Sequence, residues 1–392
     1  MSGAVNGDVT DCLGELAARA GIRRVGILAW RDLDDPEAGG SELHAAKVAA
    51  LWSRAGIDVT MRTSYAAGHP QVIGREGYRV IRKAGRYMVF PRAAFSEVMG
   101  WHGKHDALVE IWNGMPFFSP VWARIPRVVW LHHVHRSMWE MTLPPRLAAL
   151  GNMVESRVAP PLYRRTPIVT LSESSKREIM EYLRFPEGHI SVVPPGIGPE
   201  FTPGGKRSLV PLVVGVGRLV PVKRFSLLMD VLAEAKKRIP DLEAVIVGEG
   251  YQRVELECHR HDIGADPWIR LPGRLDSEEL IDTYRRAWVV ASSSAHEGWG
   301  MTITEAAACG TPAVATRIGG HSDAVEDGRS GILVDNPADF TAALVSVLGN
   351  DSLRARLGRG AIEHAADFTW GATALGTLEV LAADVVARRA QS

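Results

Sequence analysis

Val289-Val-Ala-Ser-Ser-Ser294, followed by Glu297-Gly-Trp-Gly-Met-Thr-Ile-Thr-Glu305, sets a short apolar, β-branched run before a glycine-rich turn. Helix-favouring residues then continue to Cys309, where Gly310-Thr-Pro312 stops them. The stretch reads as strand, loop and helix. At such a junction the N–H groups of Gly300, Met301 and Thr302 are first-turn donors beside the positive end of the helix dipole, a seat for a diphosphate. Glu297 falls in the loop and Glu305 inside the helix. Two acceptor-only carboxylates flanking an anion seat suit hydroxyl-rich groups, a sugar at one end and a ribose at the other. The plainer reading is a helix start with a solvated Glu.

Outward from this junction, strands alternate with helices twice over, the pattern of two parallel-sheet α/β domains. The first series opens at Arg24-Val-Gly-Ile-Leu-Ala-Trp30 and a helix over 41–55 closed by Gly56. It continues with strands at 59–63, 78–81, 107–112, 128–131 and 168–171. A helix follows at Ser172-Glu-Ser-Ser-Lys-Arg-Glu178, where Ser175 and Glu178 have capping-box spacing. The second series opens at Leu212-Val-Val-Gly-Val-Gly217 and runs through 244–247, 268–271, 289–293, 313–315 and 331–334. Between them, Pro194-Pro-Gly-Ile-Gly-Pro-Glu-Phe-Thr-Pro-Gly-Gly205 has linker composition. This gives a loose extension over 1–22, a first domain over 23–205 and a second over 206–369.

A chain of 392 residues is too long for one ordinary core. Lys+Arg and Asp+Glu are equal at 45 each, so no global field draws the protein to nucleic acid or an acidic membrane, and any basic site must be local. Cys12, Cys258 and Cys309 stand singly, without metal-ligand spacing or a disulfide framework, which fits a reducing cytosol. Residues 1–22 lack the basic start and apolar centre of a signal peptide, and no apolar run is expected to reach membrane-spanning length.

Two further patterns point to phosphate. Arg218 and Lys223, with Arg224 beside it, follow the end of the strand at 213–217, where ligands bind in open parallel sheets. A guanidinium fork and a mobile ammonium make a suitable pair for a departing pyrophosphate, although singly each is an ordinary surface cation. Gly39-Gly-Ser-Glu42 lies between the first strand and its helix, where adjacent glycines either let the backbone approach a ligand or merely serve a turn. In Val128-Val-Trp-Leu-His-His-Val-His135 an apolar strand runs into three histidines. Period two sets His133 and His135 on one face and His132 on the other. No acidic or Cys partner stands at a metal-site spacing, so His132 reads as a hydrogen-bonding group for a sugar hydroxyl, or as a buried histidine satisfied by backbone.

Assembled, these residues resemble the retaining, GT-B-fold glycosyltransferases of family 4 over nearly the whole chain. The resemblance rests on Gly39-Gly40, His132 after Val-Val-Trp-Leu, Thr170-Leu-Ser-Glu-Ser-Ser-Lys-Arg177 and Val193-Pro-Pro-Gly-Ile197. It continues through Gly217-Arg218 with Lys223, Val247-Gly-Glu-Gly250, Pro272-Gly-Arg274 and Glu297 to Glu305. It implies two Rossmann-like domains facing a central cleft, the first binding acceptor and the second an activated sugar nucleotide. A last helix opening at Phe368-Thr-Trp370 and running to 392 would return to the first domain.

The resemblance further implies that Arg218 and Lys223 hold the diphosphate and stabilise its developing charge. Glu305 would bind the ribose and Glu297 the donor sugar, with the backbone of Gly298, Trp299, Gly300, Met301 and Thr302 completing the pocket. Gly39 and Gly40 would approach the diphosphate, His132 would face the sugar near the reacting carbon, and the loop at Gly273 and Arg274 would contact the base. Front-face transfer is implied, with the acceptor proton passing to the leaving phosphate, so no glycosidase-like carboxylate pair is needed. No cofactor or metal is expected, because Arg and Lys neutralise the diphosphate and no Asp-x-Asp is seen in a loop to hold a cation.

Rival functions are weighed beside this one. Gly215-Val-Gly217 and Gly248-Glu-Gly250 are each half of a dinucleotide fingerprint, but the third glycine is absent at Val220 and Arg253. A sugar-nucleotide epimerase, a phosphorylase or a non-catalytic sugar-nucleotide sensor would share the fold. The partners expected are a nucleotide-sugar donor and an acceptor that the residues do not name, a sugar, a lipid or a secondary metabolite, with no nucleic acid. Arg79, Arg82, Lys83 and Arg86, among Tyr78, Tyr87 and Phe90, are candidates for a charged acceptor or for peripheral contact with anionic lipid at the inner membrane face, against a plain solvated surface. Trp101, Trp112, Trp122, Trp130 and Trp139 are read mainly as core packing.

Overall fold

Fourteen short strands fall into two sheets in the computed structural model, which describes residues 2–136 and 138–390. The first sheet holds β1 (Arg24–Leu28), β2 (Asp58–Thr63), β3 (Val72–Arg75), β4 (Tyr78–Arg82), β5 (Ala107–Ile111), β6 (Arg127–Trp130), β7 (Ile168–Thr170) and β8 (Ile190–Val192). Its order is β3-β4-β2-β1-β5-β6-β7-β8, parallel throughout except that β3 runs antiparallel to β4. The second sheet holds β9 (Leu212–Val216), β10 (Glu243–Val247), β11 (Ile269–Gly273), β12 (Val289–Ser292), β13 (Ala313–Thr316) and β14 (Gly331–Val334). Its order is β11-β10-β9-β12-β13-β14, all parallel. The two α/β units expected from the sequence are therefore present. The central strands read as unbroken apolar runs because helices cover both of their faces.

The chain divides into one unit of residues 1–196 with 370–392 and another of 197–369. The crossing lies inside the Pro/Gly-rich stretch but at Gly196/Ile197, ahead of the boundary expected at 205. Ile197 is drawn into the second unit by a bridge to Thr369, where its N–H donates to the Phe368 carbonyl at 3.1 Å. Phe201 follows it, 6.1 Å from the Tyr284 ring.

Residues 1–22 are not a loose extension. They contain α1 (Ser2–Ala20), and its Leu13, Ala17 and Ala20 are buried in the same core as Ala374, Leu378, Leu381 and Val385 of the last helix, Trp370–Arg389. The expectation that no apolar run reaches membrane-spanning length also needs amending. Trp370–Arg389 is long and apolar enough by length and composition, yet nearly half of its apolar window is buried inside the protein, as suits a core helix. Beside it, α2 (Gly40–Arg54) starts at Gly39, whose N–H donates to the Glu42 carboxylate at 2.8 Å. The two helices are tied by Trp52, whose Nε1–H donates to the Ala374 carbonyl at 3.0 Å.

The basic run around Arg82 is not a free surface. Arg82 is fully buried, donating to Asp32 at 2.6 Å and pairing with Asp34, while Arg86 pairs with Asp35 and Glu37. The acids come from the loop after β1, and this loop contains an Asp-x-Asp, Asp32-Leu-Asp34, that was not counted in the sequence reading. Arg75 and Arg82 engage its carboxylates. Of the tryptophans, Trp112 and Trp130 are fully buried and Trp139 nearly so, but Trp101 is exposed.

Trp52→Ala removes a fully buried indole and its tie to the last helix. The expected loss is about 3–5 kcal/mol, to be read from urea unfolding of the variant beside the parent.

Candidate functional site

In the second sheet the chain winds one way from β9 to β10 and β11, then returns to the other side of β9 for β12, β13 and β14. Loops leaving the carboxyl ends of β9 and β12 diverge at such a reversal and open a crevice. Lys223 leaves β9 through a short 3-10 turn, Pro221–Lys223, and Arg224 follows with φ +48° as the cap of the helix Phe225–Lys236. This turn is clamped to the end of β12. Ser293 Oγ donates to the carbonyls of Lys223 and Arg224, each at 2.9 Å, and Arg224 Nε donates to the Ser293 carbonyl at 2.8 Å.

The clamp brings the Lys223 ammonium onto the Glu297 carboxylate across the crevice. Ser294 Oγ donates to the same carboxylate oxygen at 2.8 Å. Burial pushes the Glu297 carboxyl upward, but the Lys223 charge, then His321 and the hydrogen bonds, outweigh it and hold the group below its ordinary value. Gly217 makes room for the lysine stem, since a Cβ there would lie 3.3 Å from Lys223 Cε. The Arg218 guanidinium pairs with none of the described residues.

Glu297 leads into Gly298 to Gly300 and then the helix Met301–Ala308. The N–H groups of Gly300, Met301 and Thr302 make no hydrogen bond with a described residue. One end of the crevice thus offers three adjacent backbone donors and two cations, and Glu297 sits among them. Trp299 is buried against the Phe368 ring at 5.0 Å. One turn further, Glu305 accepts the Tyr284 hydroxyl at 3.1 Å, and burial, with the Glu200 charge, pushes its carboxyl up to about 7.

His321, which the sequence reading missed, completes this wall. Its Nδ1 lies 2.9 Å from the Thr316 carbonyl and Nε2 3.1 Å from Ser292 Oγ, an arrangement that suits a neutral ring protonated on Nδ1. Burial lowers its pKa to about 4. The signal available in the sequence was Gly319-Gly320 after β13: a Cβ on Gly320 would meet the Trp299 nitrogen at 2.4 Å. Only glycine lets this helix abut the Glu297 loop.

The Gly248-Glu-Gly250 and Gly273-Arg274 stretches serve the frame beside the crevice. Gly217 N–H donates to the Val247 carbonyl at 3.0 Å, Leu219 N–H to Glu249 at 2.9 Å and Gly248 N–H to Gly273 at 2.9 Å. A Cβ on Gly248, where φ is +143°, would lie 1.9 Å from the Gly217 oxygen. Arg274 is exposed just beyond β11.

The first unit has its own reversal, between β1 and β5. Gly39 is extended there, with φ −147°, so turn geometry does not require glycine, and Asn113 Nδ2 donates to Ser41 Oγ at 3.2 Å beside it. His132 follows β6 but is buried, its Nε2 3.2 Å from Nδ1 of His44 on α2. Burial drops its pKa to about 4. His44 is a neighbour that the sequence reading did not foresee. His133 and His135 stack at 4.9 Å, and among the described residues no group of three His, Cys, Asp or Glu side chains is arranged to hold a metal ion.

Compared with curated proteins, the chain is 30% identical over 390 residues to a D-inositol 3-phosphate glycosyltransferase of Corynebacterium urealyticum, an alignment covering 88% of this chain and 90% of that protein. The chain belongs to the group 1 glycosyltransferases of family 4. The model described as Glycosyltransferase Family 4 matches residues 38–201, and the one described as Glycosyl transferases group 1 matches residues 200–364. The corresponding protein of Corynebacterium kroppenstedtii is 35% identical over 229 residues, 53% of this chain and 51% of its own. In that alignment the chain spans about half the relative's length.

Among solved structures, sucrose-phosphate synthase from Thermosynechococcus elongatus superposes with a TM-score of 0.81 at 19% identity, covering 94% of this chain and 100% of that one. Anabaena HepE in complex with UDP-glucose gives 0.70 at 17% identity, again with 94% and 100% covered. At these identities the likeness concerns the fold, and that fold is GT-B.

In this family 4 chain the Glu305 carboxyl titrates about where a solution experiment can follow it. Its folded pKa lies above the ordinary value, so the stability it contributes is complete below the unfolded pKa of 4.5 and is lost as pH rises through about 7. Glu305→Gln is expected to gain stability relative to the parent between about pH 5 and pH 8, measured by chemical denaturation across that range.

Proposed function

We propose that the chain transfers a sugar from a nucleotide-diphosphate sugar to an acceptor hydroxyl with retention at the anomeric carbon. The observation that carries this is the joint placement of Lys223, Glu297 and three adjacent backbone donors at the β9/β12 reversal, with Arg218 on the loop that leaves β9. Relatives named D-inositol 3-phosphate glycosyltransferases, and a structural neighbour solved with UDP and with UDP-glucose, support the reading.

In this reading the diphosphate lies on the N–H groups of Gly300 to Thr302 and takes Lys223 and Arg218 as counter-charges. Glu297 accepts from donor-sugar hydroxyls, and Glu305 from the ribose. The bond from the anomeric carbon to the phosphate oxygen breaks and its electron pair stays on that oxygen, where the two cations stabilise the charge. The acceptor oxygen bonds to the same face of the carbon and its proton passes to the departing phosphate. Glu297 positions the sugar and its carboxylate forms no covalent bond. Arg and Lys supply the neutralising charge, so the step needs no metal.

Calorimetry against UDP-, GDP-, ADP- and TDP-sugars should show selective binding of one donor, lost in Arg218→Ala. Binding of none would sink the proposal. With that donor, Lys223→Ala and Glu297→Ala are each expected to lower kcat by about a hundredfold or more while unfolding stays cooperative. Near-normal turnover in either would remove its assigned role. A chelator is expected to leave turnover unchanged, and loss restored by one divalent ion would contradict the metal-free step.

A further inference from the structure

Three cations follow β9, Arg218, Lys223 and Arg224, and they stand in different states. The Arg218 guanidinium pairs with none of the described residues, and Arg224 Nε is spent on the Ser293 carbonyl at 2.8 Å. Lys223 lies on Glu297, with the two side chains 19% and 18% exposed. Its course is confined, because the Ser293 hydroxyl holds the Lys223 carbonyl at 2.9 Å and the stem crosses Gly217, where a Cβ would lie 3.3 Å from Cε.

The carboxylate is engaged on one side. Lys223 Nζ and Ser294 Oγ both reach Oε1, and Oε2 has no hydrogen bond from a described residue. Burial raises the Glu297 carboxyl, but the Lys223 charge and the hydrogen bonds outweigh it, so the group is ionised at neutral pH. His321 does not act as a second cation there, since burial takes its own pKa down to about 4. The ammonium charge is therefore neutralised inside the protein. Arg218 and the N–H groups of Gly300 to Thr302 are what the crevice offers an anion outright.

Such a seat distinguishes two ligands that carry the same diphosphate. A sugar nucleotide brings hydroxyls that donate to Glu297 and take over the carboxylate, which releases the ammonium to the phosphates. A nucleoside diphosphate has no such hydroxyls. Its terminal phosphate, with a second ionisation at about pH 6, sets an extra negative charge against Glu297. We propose that the pair of Lys223 and Glu297 is an autoinhibitory contact against the bare nucleoside diphosphate: Glu297 withholds the ammonium until donor-sugar hydroxyls engage the carboxylate, and withdraws it once the sugar has left. The pair thereby loosens the hold on the product after transfer. This device rests on the reading of the crevice as a sugar-nucleotide seat and adds to it a preference between donor and product. All of its parts lie in the unit of residues 197–369.

The test is a double-mutant cycle on the full chain, titrated calorimetrically with the sugar nucleotide that the parent selects and with UDP, GDP, ADP and TDP. Glu297→Gln keeps the shape of the side chain and removes its charge, and Lys223→Met keeps the stem and removes the ammonium. Glu297→Gln is expected to bind the nucleoside diphosphate of the matching base about tenfold tighter than the parent or more, and the sugar nucleotide no tighter. In the Lys223→Met background the same change is expected to move that affinity by less than about threefold. Lys223→Met alone is expected to weaken the sugar nucleotide about tenfold or more, and the nucleoside diphosphate by less than about threefold. A gain from Glu297→Gln that persists without Lys223 assigns plain repulsion between carboxylate and phosphate and overturns the proposal. No gain, or equal weakening of both ligands in Lys223→Met, overturns it too. Where Glu297→Gln does not unfold cooperatively in urea, the two Lys223→Met affinities decide alone. Failure of the parent to bind any sugar nucleotide removes the donor seat and this device with it; a bound donor with no coupling in the cycle removes the device alone.

Discussion

A parallel sheet wound outward in two directions from one strand must leave a gap where its loops part, and both sheets of this chain are wound that way, from β1 and from β9. Lys223 and Glu297 are 74 residues apart and meet because β9 and β12 are neighbours across the second gap. A half-buried ion pair is weak evidence for stability, since desolvating two charges offsets most of their attraction. Its placement beside unpaired backbone donors gives it another meaning. The pair keeps an ammonium at the crevice, held on a carboxylate that Ser294 in turn fixes in place.

Much of this was readable before any coordinates. The second sheet is built from runs such as Leu212-Val-Val-Gly-Val216 that are apolar on both faces, and its spacing of strand and helix leaves few topologies open. What escaped notice depended on partners remote in sequence. The apolar stripe of α1 has meaning only against Trp370–Arg389, at the other end of the chain. Strand β3 is four half-exposed residues at a sheet edge, joined to β4 through Glu76 and Gly77, both at positive φ. His321 and His44 carry no spacing signal that relates them to Glu297 or His132; only the fold brings them near.

Charge was the feature most easily misread. Equal totals of acid and base suggested that any basic cluster would be a local surface, yet Arg82 is fully buried among Asp32 and Asp34. Those acids precede it by about fifty residues, so the run appeared unbalanced when read alone. Arg62, by contrast, sits in an unremarkable strand sequence, Asp58-Val-Thr-Met-Arg-Thr63, and only its burial shows that one of its donors is left over.

The contacts of Gly248 and Gly250 with the loop of Gly217 to Leu219 tie the second sheet's loop ends together by main chain alone. Main-chain hydrogen bonds do not depend on which side chain a residue carries. Positions between the tied glycines, such as Arg218 and Glu249, and Arg274 just beyond Gly273, can therefore change identity without shifting the scaffold. Replacing one of those side chains alters only the lining of the crevice, whereas a Cβ added at Gly248 or Gly250 would press on the main chain of Gly217 or Leu219 and displace the frame itself.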